Sequence, residues 1–412
     1  LIKLINMKIS DEPLYLSAGE AAAELSISPA TLYAYVSRGL VRSEPVGEGA
    51  RARRYRAEDV RSLKHRRAPM VETQGLKSSD LPVMDTSVST ITEDGPVYRG
   101  VNAIVLAETA TFEQAATLLW DARTSDPFAR GNLPVISKEM ADILAATDRA
   151  APMDRAIAVL SVATEADPTA FNNTAEGRAV TGAKLVRLVV AAMLRTPAKA
   201  VPVHEQIVQA WALNHPAARD LVRRALVLLA DHELNASTFT ARCAASTGIS
   251  LYNSVIAAMS SLKGARHGGV GPQAARLLDT LMNGDIASIV RERTSQGERF
   301  AGFGHMVYRD GDPRADSLLA SLIKAGIDKK LTVEIPARIR EATGAFANCD
   351  YALAVMCRSL NTPPGSETTL FAMARLAGWV AHASEQLETH TLIRPRARYV
   401  GPAPGRMSGV KR

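Results

Sequence analysis

The chain has 412 residues, 47% apolar and 5% aromatic, and carries a formal net charge of +7. That length calls for two or three domains. No stretch reaches the roughly 18 uninterrupted apolar residues of a membrane span. The start shows no secretory pattern, and three cysteines (Cys243, Cys349 and Cys357) at no metal-type spacing fit a reducing cytoplasm.

The charge is local. Residues 38–67 hold ten Lys/Arg against four Asp/Glu, and the remainder is nearly neutral. A basic block confined to one end implies a polyanion, a protein partner or a solvated face there. In chain order, Ser17 and Glu20 have the spacing of a capping box, which predicts a short helix ending near Leu25. Ser28-Pro29 starts a second helix, running to about Arg38 and stopped by Gly39. The two form a helix-turn-helix in which Ala22, Leu25, Leu32 and Val36 pack together. Gly47 to Arg54 then supplies an arginine-rich hairpin tip, or wing.

Residues 16–63 resemble the winged helix-turn-helix of the mercury-resistance-regulator (MerR) family. The resemblance rests on Ala21-Ala22, Ser28-Pro29-Ala30-Thr31-Leu32, Tyr35, Arg38-Gly39-Leu40, Arg54-Tyr55 and Asp59-Val60. It implies DNA binding, with Arg38, Arg51, Arg53 and Arg54 as phosphate contacts. A retained protein-contact module is the other reading. Tyr33 stands where that family usually has arginine. Residues 69–82, with Pro69, Gly75, Ser78, Ser79 and Pro82 and no apolar period, read as a linker.

Beyond the linker the chain is mostly helical: Thr181 to Arg195 and Ala217 to Ala230 repeat apolar residues at helical spacing. Three segments break that pattern: Asp231 to Thr238, Lys263 to Gly269 and Gly302 to Arg314. Each combines a histidine with polar or glycine neighbours, the composition of site loops. His65, His204, His215, His382 and His390 read as ordinary core or surface groups. No histidine or carboxylate pair has the short spacing of a metal motif; His232-Glu233, for instance, has no histidine three residues on.

From about Val83 onward the chain resembles citrate synthase. The matching motifs, in order, are Tyr98-Arg99-Gly100 with Phe112 to Trp120, the His232, His267 and His305 segments, Asn348-Cys349-Asp350-Tyr351, Phe371 to Arg375, and Ile393 to Pro402. The resemblance implies a mainly α citrate synthase fold with a large and a small helical domain, preceded by a small winged helix-turn-helix domain. The expected boundaries are 1–68 for the first domain, 69–82 for the linker and 83–412 for the synthase, with a small subdomain at roughly 271–366.

It also implies condensation of acetyl-CoA with oxaloacetate and hydrolysis of citryl-CoA, needing no metal and no cofactor beyond the acyl-CoA substrate. By resemblance Asp350 is the base, His267 the donor to the forming enol and His305 the polariser of the ketone. His232, Arg314 and Arg375 hold oxaloacetate, the guanidinium forks matching its carboxylates. Arg394 reaches a homodimer partner's site, and Arg309 falls at a basic CoA-contact position. Other readings are a 2-methylcitrate synthase using propionyl-CoA, and a DNA-binding regulator with a metabolite-sensing synthase-like half. Met306 replaces a frequent arginine, Val270-Gly271-Pro272 follows His267-Gly268-Gly269 instead of alanine, asparagine and glutamate, and Ala352-Leu353 follows Asp350-Tyr351. These departures place the acyl-CoA contacts and the acyl size in question.

Overall fold

A computed structural model of the chain describes residues 15–25, 27–37, 41–46, 53–57, 59–60, 84–122, 124–396 and 401. The chain divides into two compact units, Leu1–Leu81 and Pro82–Arg412. Arg38, Arg51 and the segment read as a linker lie outside the described residues.

The first unit contains β1 (Tyr15–Leu16), α1 (Ala18–Glu24), α2 (Pro29–Ser37), β2 (Ser43–Pro45) and β3 (Arg53–Arg56), with antiparallel strands in the order β1-β3-β2. The capping box is formed: Ser17 accepts from the Glu20 amide and Glu20 accepts from the Ser17 amide. Ser28 Oγ accepts the Thr31 amide at 3.2 Å and so caps α2. Leu16, Ala22, Leu25, Leu32, Val41, Tyr55 and Val60 close the core, with Val36 packed against it. Arg53 and Arg54 leave on the wing strand but are occupied within the unit. Arg53 donates to the Ser43 hydroxyl and carbonyl; Arg54 pairs with Glu44 at 3.2 Å and lies over the Tyr15 ring.

In the second unit, β4 (Ser89–Thr92), β5 (Gly95–Tyr98) and β6 (Val101–Asn102) form an antiparallel sheet in that order. Among the described residues every further named element is a helix. First come α3 (Ala103–Thr109), α4 (Phe112–Leu119), α5 (Lys138–Ala146), α6 (Pro152–Ala166) and α7 (Ala175–Leu194). Next are α8 (Val203–Ala210), α9 (Ala218–Leu228), α10 (Ala236–Ala245), α11 (Leu251–Leu262) and α12 (Val270–Asn283). Last are α13 (Ile286–Ser295), α14 (Pro313–Lys324), a π-helical turn at Lys330–Glu334, α15 (Ile335–Thr343), α16 (Cys349–Ser359) and α17 (Ser366–Thr389). No helix among the described residues is long and apolar enough to cross a membrane.

Helices α7 and α17 are buried along most of their length, as expected of helices that are apolar on nearly every side. Helices α4, α7, α9, α10 and α11 pack around α17. Each fully buried leucine contributes roughly 1.5–3 kcal/mol of transfer free energy, and a core with many of them can offset the cost of burying charged groups. Several such groups, Asp231, Arg314, Arg375 and His382 among them, lie inside it.

Candidate active site

The three polar segments do not join the helical core as helices; they sit at helix starts. His232 lies between α9 and α10, His267 between α11 and α12, and His305 between α13 and α14. Arg314 and Asp350 occupy the first turns of α14 and α16. Asn235, Asp312 and Asn348 cap α10, α14 and α16 by accepting backbone N–H groups. Each cap therefore fixes the backbone beside a candidate functional residue.

One backbone link joins two of these segments. Phe303 and Ala347 form an isolated antiparallel bridge. Around it the Gly304 amide donates to Phe346 O at 2.7 Å, the Asn348 amide to Gly302 O at 2.9 Å, and Asn348 Nδ2 to Gly304 O at 2.9 Å. Gly302 has φ +85°, and a Cβ there would stand 3.0 Å from Tyr351 Cβ, so only glycine fits. His305 and Asp350 are thus hung from one short piece of paired backbone.

Two guanidiniums supply the charge. Arg314, 3% exposed, is held by Asp312 through Nε at 2.9 Å and Nη2 at 2.8 Å, and Asp312 also accepts the Cys349 amide at 3.0 Å. Arg375, 1% exposed, donates Nε–H to Leu229 O at 2.9 Å and lies over the Phe371 ring, while its Nη2 is buried with no partner. A buried donor left unmade costs free energy. An anionic oxygen placed beside it would satisfy it.

The titrating groups sense both cations. Burial first, then Arg314, Arg375 and His305, hold His232 well below the usual histidine range. Burial and Arg375 bring His267 down to about 4, and burial and Arg314 bring His305 down to about 4. Burial pushes Asp350 up to about 6, against the pull of Arg314 and Arg375. Near neutral pH the site therefore holds three uncharged imidazoles, two fixed cations, the Asp312 carboxylate and a carboxylate basic enough to take a proton. Its lining is suited to a small di-anion next to a weak carbon acid.

Residues 75–396 match the family model described as the citrate synthase C-terminal domain. The chain belongs to the citrate synthase family. Residues 16–70 match the model of MerR HTH family regulatory proteins. Over 371 residues the chain is 30% identical to citrate synthase 2 of Bacillus subtilis, covering 81% of this chain and 97% of that protein. Over 387 residues it is 28% identical to a 2-methylcitrate synthase of Mycobacterium tuberculosis, covering 84% and 96%. The crystal structure of citrate synthase from Pyrobaculum aerophilum matches with a TM-score of 0.69 at 27% identity, over 80% of this chain and 93% of that one. Membership of the family leaves the acyl donor open, since relatives carry both names.

In this member of the citrate synthase family the histidine tautomers follow from their partners. His305 Nδ1 accepts the amides of Val307 at 3.0 Å and Tyr308 at 3.2 Å, so the ring proton sits on Nε2. Arg314 Nη2 approaches that Nε2 to 3.4 Å. With this tautomer both groups are donors, placed so that one acceptor could receive from both rather than each bonding the other. His232 Nε2 lies 3.2 Å from the Tyr308 hydroxyl, and its ring meets that of His305 edge-on with centroids 5.4 Å apart. His267 Nε2 lies 2.8 Å from Ser237 Oγ, which also receives Trp379 Nε1–H at 3.1 Å and sits 2.9 Å from Asn235 Oδ1. Ser237 donates its hydroxyl to Asn235 Oδ1; turned to His267 Nε2 instead, it would place the imidazole proton on Nδ1 and make that nitrogen a donor.

The structure brings His232, His305 and Arg314 into contact or near contact, and Arg375 and His267 both contact the Phe371 ring. Arg309 is exposed on the loop after His305. Arg394 is exposed beyond α17, and among the described residues it makes no hydrogen bond or ion pair within the chain. The sequence reading gave no role to Asp312, Ser237, Tyr308 or Trp379. Asp312 had a signal, standing before Pro313 at a helix start and two residues from Arg314. His382, read as an ordinary histidine, is fully buried beside Asp231, with Nδ1 unsatisfied.

Proposed function

We propose that this protein is a citrate synthase, condensing acetyl-CoA with oxaloacetate and hydrolysing the citryl-CoA formed. The observation that carries the reading is the unpartnered Nη2 of Arg375, set with Arg314 and three uncharged histidines around a carboxylate of raised basicity. Oxaloacetate satisfies both guanidiniums with its carboxylates, and its ketone oxygen accepts from His305 Nε2–H and Arg314. Asp350 removes a methyl proton from the thioester while His267 donates to the thioester oxygen, so neither a free carbanion nor an oxyanion forms. The enol carbon attacks the polarised ketone carbon, and water then cleaves the thioester, releasing CoA.

His232 orients the keto acid. Arg309 contacts CoA, and Arg394 completes the site of a homodimer partner, in line with its making no hydrogen bond or ion pair among the described residues. The small subdomain, roughly 271–366, closes over the substrates and keeps water out until the carbon–carbon bond has formed. The N-terminal unit binds DNA through α2 and the wing, at the expense of the Arg54–Glu44 pair.

The test is release of free CoA by the purified protein given oxaloacetate with acetyl-CoA or with propionyl-CoA, using Asp350→Ala as the control. Faster release with acetyl-CoA is expected. Preference for propionyl-CoA makes the protein a 2-methylcitrate synthase, and no release above the control with either donor overturns the enzyme reading.

The pH dependence follows from Asp350. Its carboxyl is protonated below about 6, and only the carboxylate can act as base. His267 and His305, at about 4, remain uncharged through this range. The value of kcat/KM should rise about tenfold per pH unit up to about pH 6 and level off above it. An acid limb centred near pH 4 would remove Asp350 from the role.

A further inference from the structure

Behind His232 lies a polar cluster that the reaction does not touch. Asp231 and His382 are both fully buried, and His382 Nε2 stands 3.3 Å from Asp231 Oδ2. The same oxygen accepts the Ser89 hydroxyl and, at 3.1 Å, the amide of Glu233. That last bond closes an Asx-type turn from the side chain of residue 231 to the backbone of residue 233, with His232 between them. Glu233 takes φ +53°, a left-handed conformation unusual for a residue that is not glycine. The carboxylate holds the His232 backbone in its turn together with Ser89 Oγ, which accepts the same Glu233 amide at 3.3 Å, and Tyr98, whose hydroxyl bonds the Asp231 amide and carbonyl.

Two features describe how the cluster is built into the site. Asp231 Oδ1 and His382 Nδ1 are both buried without a hydrogen-bond partner, and native structures leave few such groups. Each carries a desolvation cost. The second feature is the helix that presents His382. Phe371, Arg375, Gly378, Trp379 and His382 recur on α17 at spacings of four, three, one and three, which is one helical face. Arg375 offers its free Nη2, and Trp379 holds the serine behind His267. Gly378 lets Ala230 and Asp231 approach: its amide donates to Ala230 O at 3.0 Å, and a Cβ there would overlap Asp231 Oδ1.

We propose that His382 and Asp231 are positioning residues for His232: His382 fixes the Asp231 carboxylate, and the carboxylate fixes the turn that sets the His232 imidazole against Tyr308. Neither touches substrate. The proposal rests on the citrate synthase reading, in that His232 orients the keto acid. Its effect is thus confined to keto-acid affinity and leaves the acyl-CoA half of the site alone.

The experiment is calorimetric titration of the full-length protein with oxaloacetate, and separately with CoA, for the unsubstituted protein, His382→Ala and His382→Gln. The glutamine keeps a side-chain N–H for Asp231. His382→Ala should weaken oxaloacetate binding about tenfold, the lower end of what losing a histidine's outer partner costs elsewhere, with CoA affinity unchanged; His382→Gln should recover most of the loss. Equal weakening of both ligands means a merely structural role and overturns the proposal, as does oxaloacetate binding untouched by His382→Ala. If His382→Ala does not fold, His382→Leu, which keeps the bulk without the N–H, takes its place: loss of oxaloacetate affinity in the leucine variant but not in His382→Gln supports the proposal, and unchanged oxaloacetate binding or parallel loss of both ligands overturns it. Failure of the unsubstituted protein to bind oxaloacetate is a separate result, and it overturns the citrate synthase reading together with this one.

Discussion

Turnover by Asp350→Ala is expected to fall about 10³-fold, within the range of roughly 10²–10⁴ that a positioned general base contributes, while the protein stays folded. The cap of α16 comes from Asn348, whose side chain accepts the amides of Asp350 and Tyr351, so the helix start survives loss of the carboxyl. Among the described residues no hydrogen bond reaches that carboxyl, and burial already disfavours its charge. Truncation thus removes a group that the fold does not depend on; the only expected cost is the favourable charge at a helix N-terminus, about 0.3–1 kcal/mol. Steady-state CoA release and a thermal midpoint, measured on the same preparation, check both halves. Near-normal turnover would show that another group takes the proton.

Arg375→Leu separates binding from stability in the opposite sense. Keto-acid affinity should fall about 10²–10³-fold, the few kcal/mol lost when one partner of a buried charge pair is truncated. The free protein should be no less stable. Burial lowers the pKa of Arg375, and its Nη2 has no partner, so the unliganded fold carries a strained cation that leucine relieves. Against that stand one lost hydrogen bond to Leu229 O, the contact over the Phe371 ring and the attraction of the Asp231 carboxylate. Arg375→Lys should not rescue binding, because an ammonium lacks the planar fork that serves Leu229 and a carboxylate together. Removing the cation also takes away one of the influences that favour the Asp350 carboxylate, so any remaining activity should have its acid limb at higher pH. Titration with oxaloacetate and a melting curve test this pair of expectations; a clear drop in midpoint would mean that Arg375 supports the fold as well as the ligand.

Local signals in the sequence were the ones that could be read. Ser17 and Glu20 are three residues apart and find each other in any helix that starts there, and Ser28-Pro29 is equally self-contained. The glycine-rich settings of His267 and His305 break helical periodicity, so those residues stood out. Asp350 did not: an aspartate in the first turn of a helix is ordinary, and only the resemblance gave it a role. The supporting shell was illegible for a different reason. Asp231 and His382 are 151 positions apart, and Ser237 and Trp379 are 142 apart. Their pairing depends on how α17 threads the core, which no short pattern reports. A histidine on an apolar helix has the same local appearance whether it packs idly or braces a loop.

The bridge between Phe303 and Ala347 has a temporal consequence. His305 leaves the bridge on one strand and Asp350 follows it on the other, so a displacement of either carries its companion. In the proposed reaction His305 acts on the ketone and Asp350 on the thioester, so the two proposed roles share one backbone anchor. Any closure that shifted this stretch of paired backbone would then move both groups at once, without two loops having to close independently.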